Sequence, residues 1–240
     1  MSEHIVASFD EELSGLTQKI AEMGGLAEQH VAESVAALVN RDFEIAQRII
    51  GADERVDRLQ QQIEERAVLM IARRQPMARD LREIIAAIHI ATDLERVGDL
   101  AKNIAKRVIA IGGNFGSPRL VVGVEHMAEL SLTQLKNVLD AVASRDLKAA
   151  LAVRERDDEI DAMYTSLFRE LLTYMMEDPR NIAFCTHLLF CAKNLERIGD
   201  HATNIAETVH YLITGAPLTD ERPKKDTSSL TSVEYTEADE

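Results

Sequence analysis

The stretch Asp93-Leu-Glu-Arg-Val-Gly-Asp99 returns in the second half of the chain as Asn194-Leu-Glu-Arg-Ile-Gly-Asp200. Upstream, Asp53-Glu-Arg-Val-Asp57 is matched in the same way by Asp157-Asp-Glu-Ile-Asp161. Similarity that extends over so much of a chain is typical of an internal repeat. The sequence therefore predicts two copies of one structural unit.

Each copy is predicted to contain three helices, because apolar residues recur at helical spacing and the prolines fall at breaks. The helices should cover about residues 5–39, 42–74 and 77–111, then about 120–143, 146–177 and 179–214. Asp42 is a candidate N-cap. The predicted fold class is all-α, with two tandem, pseudo-symmetric three-helix bundles. Their expected limits are 1–111 and 119–216, with a linker at 112–118 and a disordered acidic tail at 217–240.

The composition argues against several functions. A net charge of −14 over 240 residues lacks the basic footprint of nucleic-acid binding or of a membrane-surface anchor. The first ten residues do not resemble a secretory signal, and no apolar run is long enough to span a bilayer. We expect a soluble cytoplasmic protein that meets cations or basic protein surfaces and reaches a membrane only through partners.

The usual catalytic and zinc-binding motifs are absent from the sequence. Cys185 and Cys191 have no zinc-ligand spacing, so both are predicted to be buried packing residues. Glu207 and His210 form the one Glu-x-x-His pair, which is a weak candidate because the first copy lacks it. These observations favour a protein that is not an enzyme.

Acidic residues form a ladder on the third helix of each copy. Glu95, Asp99 and Asn103 are four residues apart, which places them on one helix face with about 6 Å between steps. The second helix carries a shorter ladder, Asp53 and Asp57. The second copy repeats both ladders with Glu196, Asp200, Asn204, Asp157 and Asp161.

The two ladders of each copy are predicted to meet. Pro76 lies equally far along the chain from Asp57 and from Glu95, and Pro179 has nearly equal arms in the second copy. Two antiparallel helices joined at such a turn bring residues on equal arms to the same height. Each bundle should therefore gather four carboxylates.

Four neighbouring carboxylates repel one another, so protons, arginines or bound cations must offset their charge. Carboxylate oxygens favour hard cations such as Mg, Mn, Ca or oxidised Fe. Gly98 and Gly199 would leave room for a neighbouring backbone or for a metal cluster. The alternative is a solvated acidic face neutralised by nearby arginines, namely Arg55, Arg58, Arg96 and Arg197.

The chain resembles the PhoU family over about residues 5–214. The resemblance rests on five strings: Arg74-Gln-Pro76, Asp80-Leu-Arg82, Asp93-Leu-Glu-Arg-Val-Gly-Asp99, Met176-Glu-Asp-Pro-Arg-Asn181 and Asn194-Leu-Glu-Arg-Ile-Gly-Asp-His-Ala-Thr-Asn-Ile-Ala206. It implies two three-helix bundles, a homodimer and metal clusters on the acidic motifs. The implied ligands are Asp53, Asp57, Glu95, Asp99, Asp157, Asp161, Glu196 and Asp200, with Asn103 and Asn204 as additional candidates.

The resemblance also implies a function as an adaptor. PhoU-like proteins are thought to bind the ATPase of the phosphate ABC transporter (PstB-like) and a sensor histidine kinase (PhoR-like). Through these partners they restrain phosphate uptake and the phosphate-starvation response. Two alternatives remain open: a metal-dependent enzyme built on the carboxylate-lined bundles, and a purely structural dimer without metal.

Overall fold

The computed structural model describes residues 2–219, and their side chains from residue 9 onward. All regular secondary structure in that range is helical. The helices are α1 (Ser2–Asn40), α2 (Phe43–Arg74), α3 (Arg79–Ile111), α4 (Val122–Ser144), α5 (Leu147–Glu155), α6 (Asp157–Glu177) and α7 (Ile182–Thr214). Short 3-10 helices span Pro118–Val121 and Pro179–Asn181. Most of the predicted disordered tail, from residue 220 onward, lies outside the described residues.

The same cap begins the second helix of each copy. Asp42 and Asp146 each accept a hydrogen bond from the amide three residues later, at 2.9 and 3.0 Å. Each aspartate follows an arginine in the left-handed region, Arg41 with φ 58° and Arg145 with φ 54°. The N-cap predicted at Asp42 is confirmed, and the repeat extends to the details of this turn.

The helix predicted over residues 146–177 is not continuous. It ends at Glu155 and begins again at Asp157, and Arg156 between them has φ −93° and ψ 2°. The side-chain amide of Gln134 on α4 donates a hydrogen bond to the Arg156 carbonyl oxygen at 2.9 Å. A side chain that inserts into the hydrogen-bond ladder in this way interrupts a helix. The prediction of one helix was therefore wrong here, whereas α2, its counterpart, is unbroken.

The two bundles share one hydrophobic core. The first comprises α1 to α3 and the second α4 to α7, and they pack together along α3 with α7 and α1 with α4. Fully buried side chains continue from one bundle into the other, such as Met23, Leu94, Met127 and Leu195. No helix within residues 2–219 has the length and apolarity needed to cross a bilayer.

Both cysteines belong to this core. Cys185 and Cys191 lie on α7 and have no exposed surface. Burial raises the pKa of Cys191 to about 12, so its thiol stays protonated and unreactive at neutral pH. The prediction that they are packing residues is confirmed.

Candidate functional site

The structure brings the predicted acidic ladders together in two places. The first cluster comprises Asp53 and Asp57 of α2 with Glu95 and Asp99 of α3. The second cluster comprises Asp157 and Asp161 of α6 with Glu196 and Asp200 of α7. In both, the turn after the acidic pair folds the next helix back alongside it.

Gly98 and Gly199 allow the paired helices to approach each other. A Cβ on Gly98 would lie 3.3 Å from Val56 Cγ1, and one on Gly199 would lie 2.8 Å from Ile160 Cδ1. Val56 and Ile160 each lie between the two aspartates of their own helix. The glycines thus admit an aliphatic side chain, and the carboxylates flank that contact.

Each cluster lies where two helices pack together, α2 with α3 and α6 with α7. Only 3–7% of the surface of Asp53, Asp157, Asp161 and Glu196 is exposed. A fully solvated acidic face, the alternative raised by the sequence, is therefore excluded for these four residues. Such burial raises the free energy of an ionised carboxylate unless nearby charges or hydrogen bonds offset it.

A lysine offsets the charge of the first cluster. Lys102 Nζ donates hydrogen bonds to Asp53 on α2 and, at 2.8 Å, to Asp99 Oδ1 on α3. Burial alone would lower the pKa of Lys102, but the bonds to these two carboxylates outweigh it and raise the pKa. Its ammonium therefore stays charged at neutral pH and links the two helices.

The other two carboxyl groups of the first cluster, Glu95 and Asp57, have raised pKa values. Burial, followed by the charge of Asp99, raises the pKa of Glu95, although Arg96 opposes the shift. Burial and the charge of Asp53 likewise raise the pKa of Asp57. Arg96 pairs with both acids of α3, since its guanidinium lies 3.3 Å from Glu95 Oε2 and from Asp99 Oδ2.

The second cluster is compensated differently. Thr203 stands where the repeat places Lys102 in the first copy, and its hydroxyl donates to Asp157 Oδ1 at 3.2 Å. Lys193 donates to Glu196 Oε1 at 2.9 Å, with 42% of its side chain exposed. Glu196 Oε2 is buried and forms no hydrogen bond with the described residues. Burial raises the pKa of Glu196, and Lys193 offsets only part of that shift.

A residue on a third helix also reaches the second cluster. Gln134 of α4 is 5% exposed, and its Oε1 forms no hydrogen bond within the described part of the chain. That oxygen and Asp157 Oδ1 lie 3.5 and 3.7 Å from the point where a Cβ on Gly199 would be. Gln134 thus presents an unused acceptor beside an acidic side chain.

The first copy has a counterpart of Gln134. In the repeat register set by Arg41 and Arg145, His30 of α1 corresponds to Gln134. Its Nδ1 is buried without a hydrogen bond to any described residue. Burial lowers the pKa of His30, against the opposing charge of Asp53. The sequence analysis missed both residues, although each is a polar side chain on the apolar face of its helix.

Other candidate residues take partners outside the clusters. Asn204 donates to Asp93 at 3.3 Å, and His201 Nδ1 lies 2.8 Å from the same carboxylate, so this part of the ladder joins α7 to α3. Asn103 lies half-buried on α3. The weak candidate pair is separated, because Glu207 binds Arg154 at 3.2 Å and His210 Nδ1 lies 3.1 Å from the Ala216 carbonyl oxygen.

The two clusters differ in how well they fit a metal ion. Among the described residues, no three His, Cys, Asp or Glu side chains already converge as ligands. Each cluster contains a buried carboxylate oxygen without a hydrogen bond among the described residues, Glu95 Oε2 in the first and Glu196 Oε2 in the second. Each also has a lysine: Lys193 bonds to Glu196 alone among the contacts given above, whereas the Lys102 ammonium lies between the two helices of the first cluster and occupies the place of a bridging ion. The second cluster fits in chemistry, since Glu196 Oε2 and Gln134 Oε1 are unsatisfied oxygens beside further carboxylates.

A duplicated helical bundle with acidic motifs on adjacent helices defines a narrow class of proteins. The PhoU domain family matches residues 20–108 and 124–209, which cover most of both bundles. This chain belongs to the PhoU family.

Curated relatives match almost end to end. The phosphate-specific transport system accessory protein PhoU homolog of Rhizobium meliloti (strain 1021) is 66% identical over 96% of this chain and 98% of its own. The homolog from Caulobacter vibrioides (strain NA1000 / CB15N) is 52% identical over 95% of this chain and 100% of its own.

Two solved structures share the fold. PhoU from Pseudomonas aeruginosa superposes with a TM-score of 0.84 at 41% identity, over 87% of this chain and all of that one. The phosphate transport system regulatory protein PhoU from Streptococcus pneumoniae gives 0.81 at 31% identity, over 88% and 99%. The predicted fold of two three-helix bundles is therefore confirmed.

Proposed function

We propose that this protein is a cytoplasmic accessory regulator of a phosphate-specific transport system. It acts as an adaptor that restrains phosphate uptake and the phosphate-starvation response. Its partners are the ATPase of the phosphate ABC transporter and a sensor histidine kinase. The observation that carries the proposal is the 66% identity, over nearly both full lengths, to a relative described as an accessory protein of that system.

An adaptor needs surfaces for its partners, and the ends of both bundles offer them. Met77, at the turn between α2 and α3, is 81% exposed, and Met176, in the last turn of α6 before the matching connection to α7, is 74% exposed. Ile182 and Leu69 are exposed close to these turns. Exposed methionines adapt to varied partner surfaces, so these turns support an adaptor function.

A metal ion would complete the second cluster. Asp157, Asp161, Glu196 and Asp200 would hold a divalent or trivalent cation (Mg, Mn, Fe or Ca), and Gln134 would add a neutral oxygen. When bound, the ion supplies positive charge against four neighbouring carboxylates. The carboxylates of α6 and α7 would then attract a common centre, which would stabilise the contact between these helices.

The adaptor function is tested by co-purification of the full-length protein with the transporter ATPase and with the sensor kinase, at high and low phosphate. We expect retention by both partners. Met77→Lys and Met176→Lys should weaken retention, whereas Thr133→Lys, at an exposed position in the middle of α4, should not. Failure to bind either partner at both phosphate levels would contradict the proposal.

The protein is also proposed to form a homodimer. Light scattering on the purified protein should give twice the mass of the 26.7 kDa chain. A monomer mass at micromolar concentration would exclude a stable dimer.

A further inference from the structure

We infer that a cleft between α3 and α7, lined by Asp93 and Glu207, binds a basic run of this chain's own C-terminal segment, Arg222-Pro-Lys-Lys225. The cleft has a volume of about 510 Å³ and lies where the two bundles meet. This binding is separate from the proposed adaptor partners and from the proposed metal site. The run lies outside the described residues, and three properties of the described ones support its binding here: the lining of the cleft, the direction in which the chain ends, and the distribution of charge.

The lining of the cleft suits a basic side chain with an aliphatic stem. Asp93 of α3 and Glu207 of α7 supply carboxylates, and Ile85 and Tyr211 supply apolar surface. Among the described residues that line the cleft there is no lysine or arginine. Lysine and arginine side chains lay their methylene stems along apolar surface and keep the charged group at a polar partner. Such a lining therefore favours a basic segment over an acidic or a wholly apolar one.

Asp93 is the carboxylate with capacity left for a ligand. Its Oδ1 lies 2.8 Å from His201 Nδ1 and accepts a hydrogen bond from the Asn204 amide at 3.3 Å. Its Oδ2 has no hydrogen bond to a described residue, and its side chain is 16% exposed. Glu207 already pairs with Arg154 at 3.2 Å, so it attracts a further cation less strongly. An incoming guanidinium or ammonium group would therefore form its charge-assisted hydrogen bond at Asp93.

The described part of the chain ends by turning back into this cleft. α7 ends at Thr214, and Gly215 follows in the left-handed conformation with φ 77°. The Ala216 carbonyl oxygen then lies 3.1 Å from Nδ1 of His210, which is more than one turn back along α7. Leu218 lines the cleft. The chain thus leaves the helix, reverses its direction and enters the cleft.

The basic run is within reach of Asp93 from this point. Arg222 follows Leu218 by four residues, and an extended chain spans at most about 14 Å over that length. Ile85 and Asp93 both line the cleft and are eight residues apart on α3, which is about 12 Å along the helix axis. A tether this short holds the run at a high effective concentration beside the cleft, so that a weak ion pair is enough to keep it bound.

The repeat contains an equivalent surface of opposite charge. In the register that aligns Asp93 with Asn194, Glu207 corresponds to Lys106, and Arg107 lies next to Lys106. A basic segment would be repelled at that surface. Charge therefore directs the run to the cleft lined by Asp93 and Glu207.

The consequence is that the protein occupies its own acidic cleft. The bound run would contact α3 of the first bundle and α7 of the second, beside the hydrogen bonds that join Asp93 to His201 and Asn204. A basic segment of another protein would bind at the cleft only by displacing the run.

Carbodiimide cross-linking of the full-length protein tests this contact, because it joins a lysine amine directly to a neighbouring carboxylate. Mass spectrometry identifies the linked peptides, and a mixture of unlabelled and isotope-labelled protein distinguishes links within a chain from links between chains. We expect Lys224 or Lys225 to be linked to Asp93 or Glu207 within one chain. Links of these lysines only to other carboxylates, or only between chains, would overturn the inference.

Trypsin cleavage after Lys224 and Lys225 supplies a second measurement on the full-length protein. Asp93→Asn should raise the cleavage rate by about threefold, the effect of a weak surface ion pair, whereas Glu129→Gln, at an exposed position of α4, should not change it. Circular dichroism reports folding, and Arg222→Gln, which leaves the described helices unaltered, replaces Asp93→Asn if the latter does not fold. A cleavage rate that is equal in the wild type and in a folded variant of Asp93 or Arg222 would also overturn the inference.

Discussion

The first and second clusters carry the same acids in the same register, yet they differ in what surrounds those acids. In the first cluster, Lys102 bonds to both α2 and α3, and His30 lies on the neighbouring helix α1. In the second cluster, Thr203 stands in place of Lys102, and Gln134 of α4 stands in place of His30. The comparison shows that the same acids can take their counter-charge from different positions of the repeat. Lys102 bonds to Asp53 and Asp99 in the first cluster, and Lys193 bonds to Glu196 in the second.

The helices that carry the acids also differ. α2 is continuous, and its aspartates lie within the helix. Asp157 instead begins α6, directly after the break that Gln134 causes at Arg156. The same side chain therefore interrupts the helix and faces the second cluster, which couples the local backbone to the site.

The largest expected effect is on the stability of the first bundle. In the presence of chelator, Lys102→Thr should lower the free energy of unfolding by about 3 kcal/mol, because it leaves the buried Asp53 carboxylate without its cation. Urea denaturation measures the change. Lys106→Thr should stay within about 0.5 kcal/mol of the wild type. Equal effects of the two substitutions would show that Lys102 does not stabilise the contact between α2 and α3.

The next effect concerns metal affinity and distinguishes the clusters directly. Asp161→Asn should weaken Mn²⁺ binding by about 100-fold, since it removes charge from the second cluster. Asp57→Asn, at the matching position of the first cluster, should leave the affinity within about twofold of the wild type. Calorimetric titration measures both, and the reverse pattern would place the metal in the first bundle.

A smaller effect on metal affinity is expected at Gln134 of α4. Gln134→Met keeps a side chain of similar length without the oxygen and should weaken Mn²⁺ binding by about tenfold. His30→Met is the control, because it alters the matching position of the first bundle, where the Lys102 ammonium lies between α2 and α3. Wild-type affinity in Gln134→Met would show that this oxygen is not a ligand, and would leave the carboxylates as the donor set.

The smallest effect is a dependence on pH. Burial raises the pKa of Glu196 in the folded protein, so the folded state holds this proton more tightly than the unfolded chain does. The contribution of Glu196 to stability is therefore greatest below its unfolded pKa and is lost as pH rises through the folded pKa. In the presence of chelator, the stability of the wild type relative to Glu196→Gln should fall as the pH rises above 4.5. Saturating Mn²⁺ should reverse this trend, because the metal binds the ionised form.

Much of the fold follows from local sequence. The repeat, the cap at Asp42 and the prolines placed most helix ends within about two residues of their observed positions. The break at Arg156 was missed because its cause is tertiary: the residue that interrupts the helix lies on α4. Nothing in the sequence around Arg156 itself indicates a break.

The candidate site was predictable in outline. Asp57 and Glu95 are equally far along the chain from Pro76, so two straight antiparallel helices joined at that turn place them at the same height. The burial of the acids and the reach of Lys102 across the seam were not predicted, because both depend on how closely the helices approach. Aligning the two copies residue by residue would have exposed the exchange of Lys102 for Thr203 and of His30 for Gln134.

The central claim is that the second cluster holds a metal ion and the first holds a lysine ammonium instead. Anomalous diffraction from crystals of the wild-type protein soaked in Mn²⁺ tests it most directly. The account predicts an anomalous peak among Asp157, Asp161, Glu196 and Asp200, and continuous density for Lys102 between Asp53 and Asp99. A peak in the first cluster, or none in the second, would contradict it.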